Sequence, residues 1–236
     1  MFHSLLRLGL IFGTFALPVA HAALLTNTGI DAYQFTSIFS TAATLTISSD
    51  FDFGSNGTDG TVYSRVYQDG LGLDLYAYLY QVEVSSSASS PASGFRVPFV
   101  ASANLYTNGD LDGDGTNDSS FYITDLNLAP TSGTTPPTGF GDLSKGATVD
   151  DASGNVRWYY SDNSGNATLI AGTTGTTSYT VGVISRLPPG QVPTEISDSG
   201  PTLPITVWAV VPEPLSLLLV GSAIGGLIVT RRRSEA

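Results

Sequence analysis

The chain has no cysteine, one methionine at its first position, two histidines and nine lysines and arginines. His3 and His21 both lie among the first 22 residues. The long middle of the chain, Ala23 to Val211, therefore contains no histidine, cysteine or methionine. Each absence closes a class of chemistry. Without a thiol or an imidazole there is no Ser-His-Asp or Cys-His nucleophile. The usual ligands of zinc, copper and haem iron are missing as well. With no disulfides, this middle part must be held by its core, and about 190 residues is enough for one. Positive charge is scarce too. Arg65, Arg96, Lys145, Arg157 and Arg186 stand against eighteen acidic residues in the middle of the chain, a net charge of −13. That sign opposes nucleic-acid binding. What survives is carboxylate-pair chemistry of the glycosidase kind and hard-cation binding through oxygen ligands.

The two ends are different in character. Arg7 precedes an apolar stretch from Leu8 to Leu17, interrupted only by Gly9, Gly13 and Thr14. Ala20-His21-Ala22 then fits the small-x-small rule, so residues 1–22 are expected to be a signal peptide cut before Ala23. The alternative, a first transmembrane helix, needs roughly 18 to 20 apolar residues, more than are present. At the other end, Pro212-Glu213-Pro214 leads into an uncharged, mostly apolar run from Leu215 to Thr230, followed by Arg231-Arg232-Arg233. As a helix at about 1.5 Å per residue, that run covers roughly 24 Å of a hydrocarbon core about 30 Å thick. Snorkelling arginines and local thinning can absorb the difference. The arginine triplet belongs on the cytoplasmic side, which places the body outside the cytoplasm. The two prolines favour an extended segment just outside the bilayer, where a protease can bind it.

This order of parts, within Val211 to Ala236, resembles the PEP-CTERM sorting signal of Gram-negative bacteria. The resemblance implies that the membrane-embedded protease-transpeptidase exosortase is a partner. It also implies cutting near Pro-Glu-Pro, after transient anchoring in the inner membrane with the body in the periplasm. Delivery would then be to the cell surface or the exopolysaccharide matrix. An ordinary C-terminal anchor is the alternative.

Between the ends, the composition predicts an all-β body over residues 23–186, an antiparallel β-sandwich of immunoglobulin-like or jelly-roll kind. Strands are expected near Ala43–Asp50, Val62–Gln68, Leu73–Val84, Phe95–Tyr106, Ser120–Leu128, Val156–Ser161, Thr177–Arg186 and Pro204–Val210. In Leu73–Val84, Leu73, Leu75, Ala77 and Leu79 alternate with Tyr76, Tyr78, Tyr80, Val82 and Val84. Both faces are apolar, as in a strand central to its sheet. No stretch of the body carries a helical period. Ser85–Ser93, Ala129–Gly139 and Gly172–Thr177 read as low-complexity stretches, the first two as flexible loops. Leu187–Leu203, with four prolines and two glycines, reads as a spacer before the last strand, which ends at residue 210.

The sharpest internal motif starts at Asp110. Carboxylates of Asp110, Asp112, Asp114 and Asp118 fall at positions 1, 3, 5 and 9, with Gly115 at 6. It resembles the first part of an EF-hand-type calcium loop, as in thrombospondin-like and dockerin-like repeats, and so implies a structural Ca2+. Position 12, where a closing acid belongs, is Phe121, and Asp125 is the nearest substitute. A solvated Asp/Gly turn is the alternative. Asp50, Asp52 and Asp59, and then Asp150, Asp151 and Asp162, are weaker acidic groups that read as turn residues. Tyr76, Tyr78 and Tyr80, with Trp158, form a candidate sugar-stacking surface, against the alternative of core packing.

Three functions follow from these observations. The first is a non-enzymatic exported protein of the cell surface or extracellular polymer matrix, with no catalytic residue. The second is a carbohydrate-binding module that takes exopolysaccharide. The third is a carboxylate-dependent glycosidase, which needs two facing acids about 5 Å apart.

Overall fold

The computed structural model describes residues 23–211 apart from 26, 55–57, 86, 89–91, 100–109, 111–112, 116–119, 129–146, 151–154, 161–175 and 199–200. The signal peptide and the sorting tail expected from the sequence both lie outside the described residues. Among the described residues no helix is long and apolar enough to cross a membrane.

The protein is mostly β, with two sheets that face each other. One has the order β1 (Ala23–Leu25), β8 (Ala147–Asp150), β9 (Asn155–Tyr159), β6 (Gly94–Pro98), β12 (Pro189–Ser197) and β13 (Thr202–Val210). All its pairings are antiparallel. The other runs β2 (Asn27–Ile30), β7 (Ser120–Ile123), β11 (Thr180–Ser185), β5 (Tyr76–Val84), β4 (Asp59–Gln68) and β3 (Leu45–Asp52), and β10 (Thr176–Thr177) also pairs with β5. Only β2 and β7 pair in parallel. Every one of the eight expected strands overlaps an observed one.

The alternation in β5 is realised on both faces. Tyr78, Tyr80, Val82 and Val84 enter the core between the sheets, where they meet Phe95, Val97, Val156, Trp158, Ile196 and Val207 from the opposite sheet. Leu75, Ala77 and Leu79 point the other way, into a second apolar cluster with Ile30, Phe35, Phe39, Phe121 and Ile184. Gly182 in β11 lets this second layer close. A Cβ there would lie 2.6 Å from Leu79 Cδ2 and 2.7 Å from Phe121 Cζ.

That second cluster exists because of a helix the sequence reading did not anticipate, α1 (Ala32–Ile38). At seven residues it is too short to show a period. Its start is nevertheless written in the sequence as a capping box. The Asp31 carboxylate accepts from the Gln34 N–H at 2.7 Å, and the Asp31 N–H donates to Gln34 Oε1 at 2.8 Å. Ile30 and Phe35, flanking the cap, are both buried in the cluster and staple the helix to the sheet.

Two other expectations are corrected. The presumed spacer contains β12, which pairs along its length with β13 and at its end with β6. The body therefore extends to Val210. Prolines here and in β13 obscured the pairing, and two of them sit where little of it is lost. Pro189 opens β12, and Pro204 lies in β13, which pairs with β12 alone. In the Ser85–Ser93 stretch, read as a flexible loop, Ala88 and Ala92 are buried in the inter-sheet core. The Ser93 N–H donates to Ser197 O at 2.8 Å.

The open edge of β13 is sealed by hydroxyls from the opposite sheet. Ser49 donates to Thr206 O at 2.7 Å, Tyr80 donates to Trp208 O at 2.7 Å, and the Trp208 N–H donates to Ser64 Oγ at 3.0 Å. Backbone groups that would otherwise template edge-to-edge association are thereby satisfied internally.

Candidate functional site

The same hydroxyl bonds define a groove on the outer face of the first sheet. Because Thr206 and Trp208 turn their backbone groups away from β12, their partners Pro193 and Gln191 turn theirs toward β6. The β12–β6 ladder runs from Ser197–Gly94 to Glu195–Arg96 and stops there. At the next hydrogen-bonded rung Pro193 would face Pro98. Neither residue has an N–H, so neither ladder bond can form. The strands part at that point into a groove of about 220 Å³ lined by Arg96, Pro98, Asn155, Pro193, Thr194, Glu195 and Pro204.

Its polar end is an ion pair, Arg96 Nη2 to Glu195 at 2.6 Å, with the two side chains 41% and 37% exposed. Such a pair contributes about 0.2–1 kcal/mol to stability, so both groups remain available to a ligand at small cost. Arg157 faces Arg96 in register on β9, and its guanidinium lies 4.7 Å above the Tyr159 ring. Two of the body's five basic residues thus sit side by side on one face of an acidic protein. Chemically the groove offers guanidinium and amide donors, carboxylate and amide acceptors, and proline rings as apolar walls. That combination suits a ligand bearing hydroxyls on one edge and C–H groups on its face.

The aromatic surface expected from the sequence is not a surface. Tyr78, Tyr80 and Trp158 are fully buried, and Tyr76 packs against the same core. The reason is the first sheet, whose β6, β9, β12 and β13 cover the tyrosine face of β5. Tyr80 and Phe95 flank Trp158 at ring distances of 5.6 and 6.0 Å. The Tyr78 hydroxyl donates to Leu187 O at 2.6 Å. Burial raises the pKa of the Tyr78, Tyr80 and Tyr160 phenols, and neighbouring phenols add to the effect at Tyr78 and Tyr80.

Of the expected calcium ligands, Asp112 and Asp118 lie outside the described residues. Asp110 is exposed, and its two carboxylate oxygens accept the N–H groups of Gly113 at 2.7 Å and Gly115 at 2.9 Å. Both glycines have positive φ, 81° and 89°, so the backbone curls around that carboxylate. Asp125, the substitute for the missing closing acid, accepts the Ala32 N–H at the start of α1 with Oδ1, at 2.6 Å. Among the described residues no group of three or more His, Cys, Asp or Glu side chains converges on one point.

Asp50, Asp52 and Asp59, expected as turn residues, lie in β3 and β4, with Asp52 and Asp59 paired at the ends where the two strands connect. Asp50 accepts from Thr61 Oγ1, Asp52 from the Gly54 N–H and Asp59 from Ser87 Oγ. Ala23 begins β1, whereas Ala20, Ala22, Pro212, Glu213, Pro214 and Arg231 to Arg233 lie outside the described residues. Sequence reasoning missed Arg96, Asn155 and Glu195. Their only signal was a proline within each of two strands, which acquires meaning once the strands are known to be neighbours. No family model matches the chain, and no curated protein or solved structure matches it.

Proposed function

We propose that this chain is an exported, non-enzymatic protein of the cell surface or extracellular polymer matrix. In this reading it is held briefly in the inner membrane by Leu215–Thr230 and released by exosortase near Pro212-Glu213-Pro214. The observation that carries the reading is the ordered tail of Pro-Glu-Pro, apolar run and arginine triplet. A cysteine-free body with a continuous two-sheet core and a sealed β13 edge suits a protein that must last outside the cell without disulfides. The finer architecture we propose is an antiparallel β-sandwich, supported by a core that takes side chains from both sheets. In cells with active exosortase the mature form is expected in the surface or culture fraction. After exosortase deletion a longer form is expected to stay with the membranes. Identical fractionation of the two strains would overturn the sorting claim.

A second reading, carbohydrate binding, is favoured by one observation, the groove between β6 and β12. Its contacts would come from Arg96, Asn155 and Glu195, with the prolines against the sugar face. Losing one hydrogen bond to a charged group is worth about 1.5–3 kcal/mol, roughly ten- to a hundredfold in affinity. Arg96→Ala is therefore expected to weaken retention on the producing cells' exopolysaccharide at least tenfold. Gln191→Ala, at an exposed position of β12 outside the groove lining, should leave it unchanged. Equal retention of Arg96→Ala and the parent protein would remove the groove from consideration.

A further inference from the structure

Val210 ends the last strand, and Val211 follows it at one end of the body. Val211 is 43% exposed, and only Pro212, Glu213 and Pro214 separate it from the apolar run that starts at Leu215. The four steps from Val211 to Leu215 reach at most about 14 Å when extended. If Leu215–Thr230 sits in a bilayer, the end of the body at Val211 lies within that distance of it.

The strand register identifies what else lies at this end. Pro189 pairs with Val210, so the turn from Ser185 to Pro189 is here. Ser185 pairs with Tyr76, and Tyr76 with Gln68. The β4–β5 connection, Asp69 to Leu75, therefore projects from the same end. At its tip Leu71 is 62% and Leu73 45% exposed. Among the described residues four large hydrophobic side chains are exposed, and Leu71, Leu73 and Val211 account for three of them.

The two leucines are held outward by a frame. The Asp69 carboxylate accepts three backbone N–H groups, from Leu71 at 2.9 Å, Leu73 at 2.8 Å and Leu75 at 2.8 Å. Desolvation is the largest single influence on this carboxyl and raises its pKa, but the amide bonds together outweigh it and hold the group below its ordinary value. Gly72 and Asp74 take left-handed conformations, at φ 75° and 55°, and the Gly70 N–H donates to Ile38 O at 2.9 Å. A loop built this way presents apolar side chains without losing conformational freedom on contact.

We propose that Leu71 and Leu73 enter the interfacial layer of the bilayer that holds the tail, a second contact that sets the orientation of the body before release. The inference rests on reading Leu215–Thr230 as a membrane segment. The occupant is a lipid surface because the chain itself delivers one to this end of the body.

The test uses the full chain, whose lack of cysteine allows single-site labelling. Leu71→Cys, at the tip, and Ser87→Cys, exposed at the opposite end of β5, are each labelled with a polarity-sensitive fluorophore. Both are reconstituted in vesicles of phosphatidylethanolamine with a minority of phosphatidylglycerol. The label at 71 is expected to shift to the blue and to be quenched by spin-labelled lipid several-fold more than the label at 87. Protein that floats with the vesicles but shows equal quenching at the two positions overturns the inference and spares the tail reading. Protein that does not float with the vesicles overturns both.

Discussion

Trp158→Ala is expected to lower the stability of the protein by about 3–5 kcal/mol, a large share of the 5–15 kcal/mol typical of a folded domain. Trp158 is a fully buried side chain at the centre of the inter-sheet core. Its ring stacks on Phe95 at an interplanar angle of 17° and leans on Tyr80 at 49°. Truncation removes the apolar area and leaves a cavity between two sheets that are tied together elsewhere and cannot collapse into it. Trp158→Phe should behave differently. The indole N–H is buried with no acceptor, so phenylalanine loses volume but also removes an unsatisfied donor that costs about 1–3 kcal/mol. The net change is expected to stay within about 1.5 kcal/mol of the parent. Urea unfolding of the two variants reads both values. An alanine variant within about 1 kcal/mol of the parent would mean that Trp158 is not at the centre of a packed core.

The second large effect is expected in alkali. Tyr78, Tyr80 and Tyr160 have phenols raised above their ordinary value of 10.0, first by burial. The folded state keeps these protons at a pH where the unfolded chain releases them, so stability falls as pH rises. Their stabilisation is complete below pH 10 and is lost above it. Each such group contributes a slope of about 1.4 kcal/mol per pH unit, so three give about 4 kcal/mol per unit above pH 10. Phenolate absorbance should then rise in two stages. The late stage belongs to Tyr78, Tyr80 and Tyr160, whose phenolates appear only with unfolding. Tyr78→Phe should make the slope shallower by about a third. A single smooth titration of all eleven tyrosines in the folded protein would contradict the burial of these side chains.

Much of this architecture was legible in the sequence, and the exceptions share a cause. The eight strands with β-branched or aromatic alternation are present, and both apolar faces of β5 are covered as its pattern required. The elements missed were the ones whose identity depends on a neighbour. Strand β12 hides behind prolines that are tolerated because of where they fall against β6 and β13. Helix α1 is seven residues long and is held by its capping box and by the sheet under Phe35.

What the sequence determines by itself is which chemistries are missing, the period of each strong strand, and the ordered parts of its two ends. These depend only on residue type and spacing along the chain. Whether Tyr78, Tyr80 and Trp158 form a surface or a core was decided by tertiary structure, because alternation marks a face but not what covers it. The tertiary structure likewise placed the Asp125 carboxylate at the start of α1, 93 positions from the N–H it accepts. It also brought Pro193 opposite Pro98, 95 positions apart in the chain, and so opened the groove beside Arg96 and Glu195. The physical reason is the same in each case: burial and pairing belong to two segments at once, and one segment's sequence specifies only its own half.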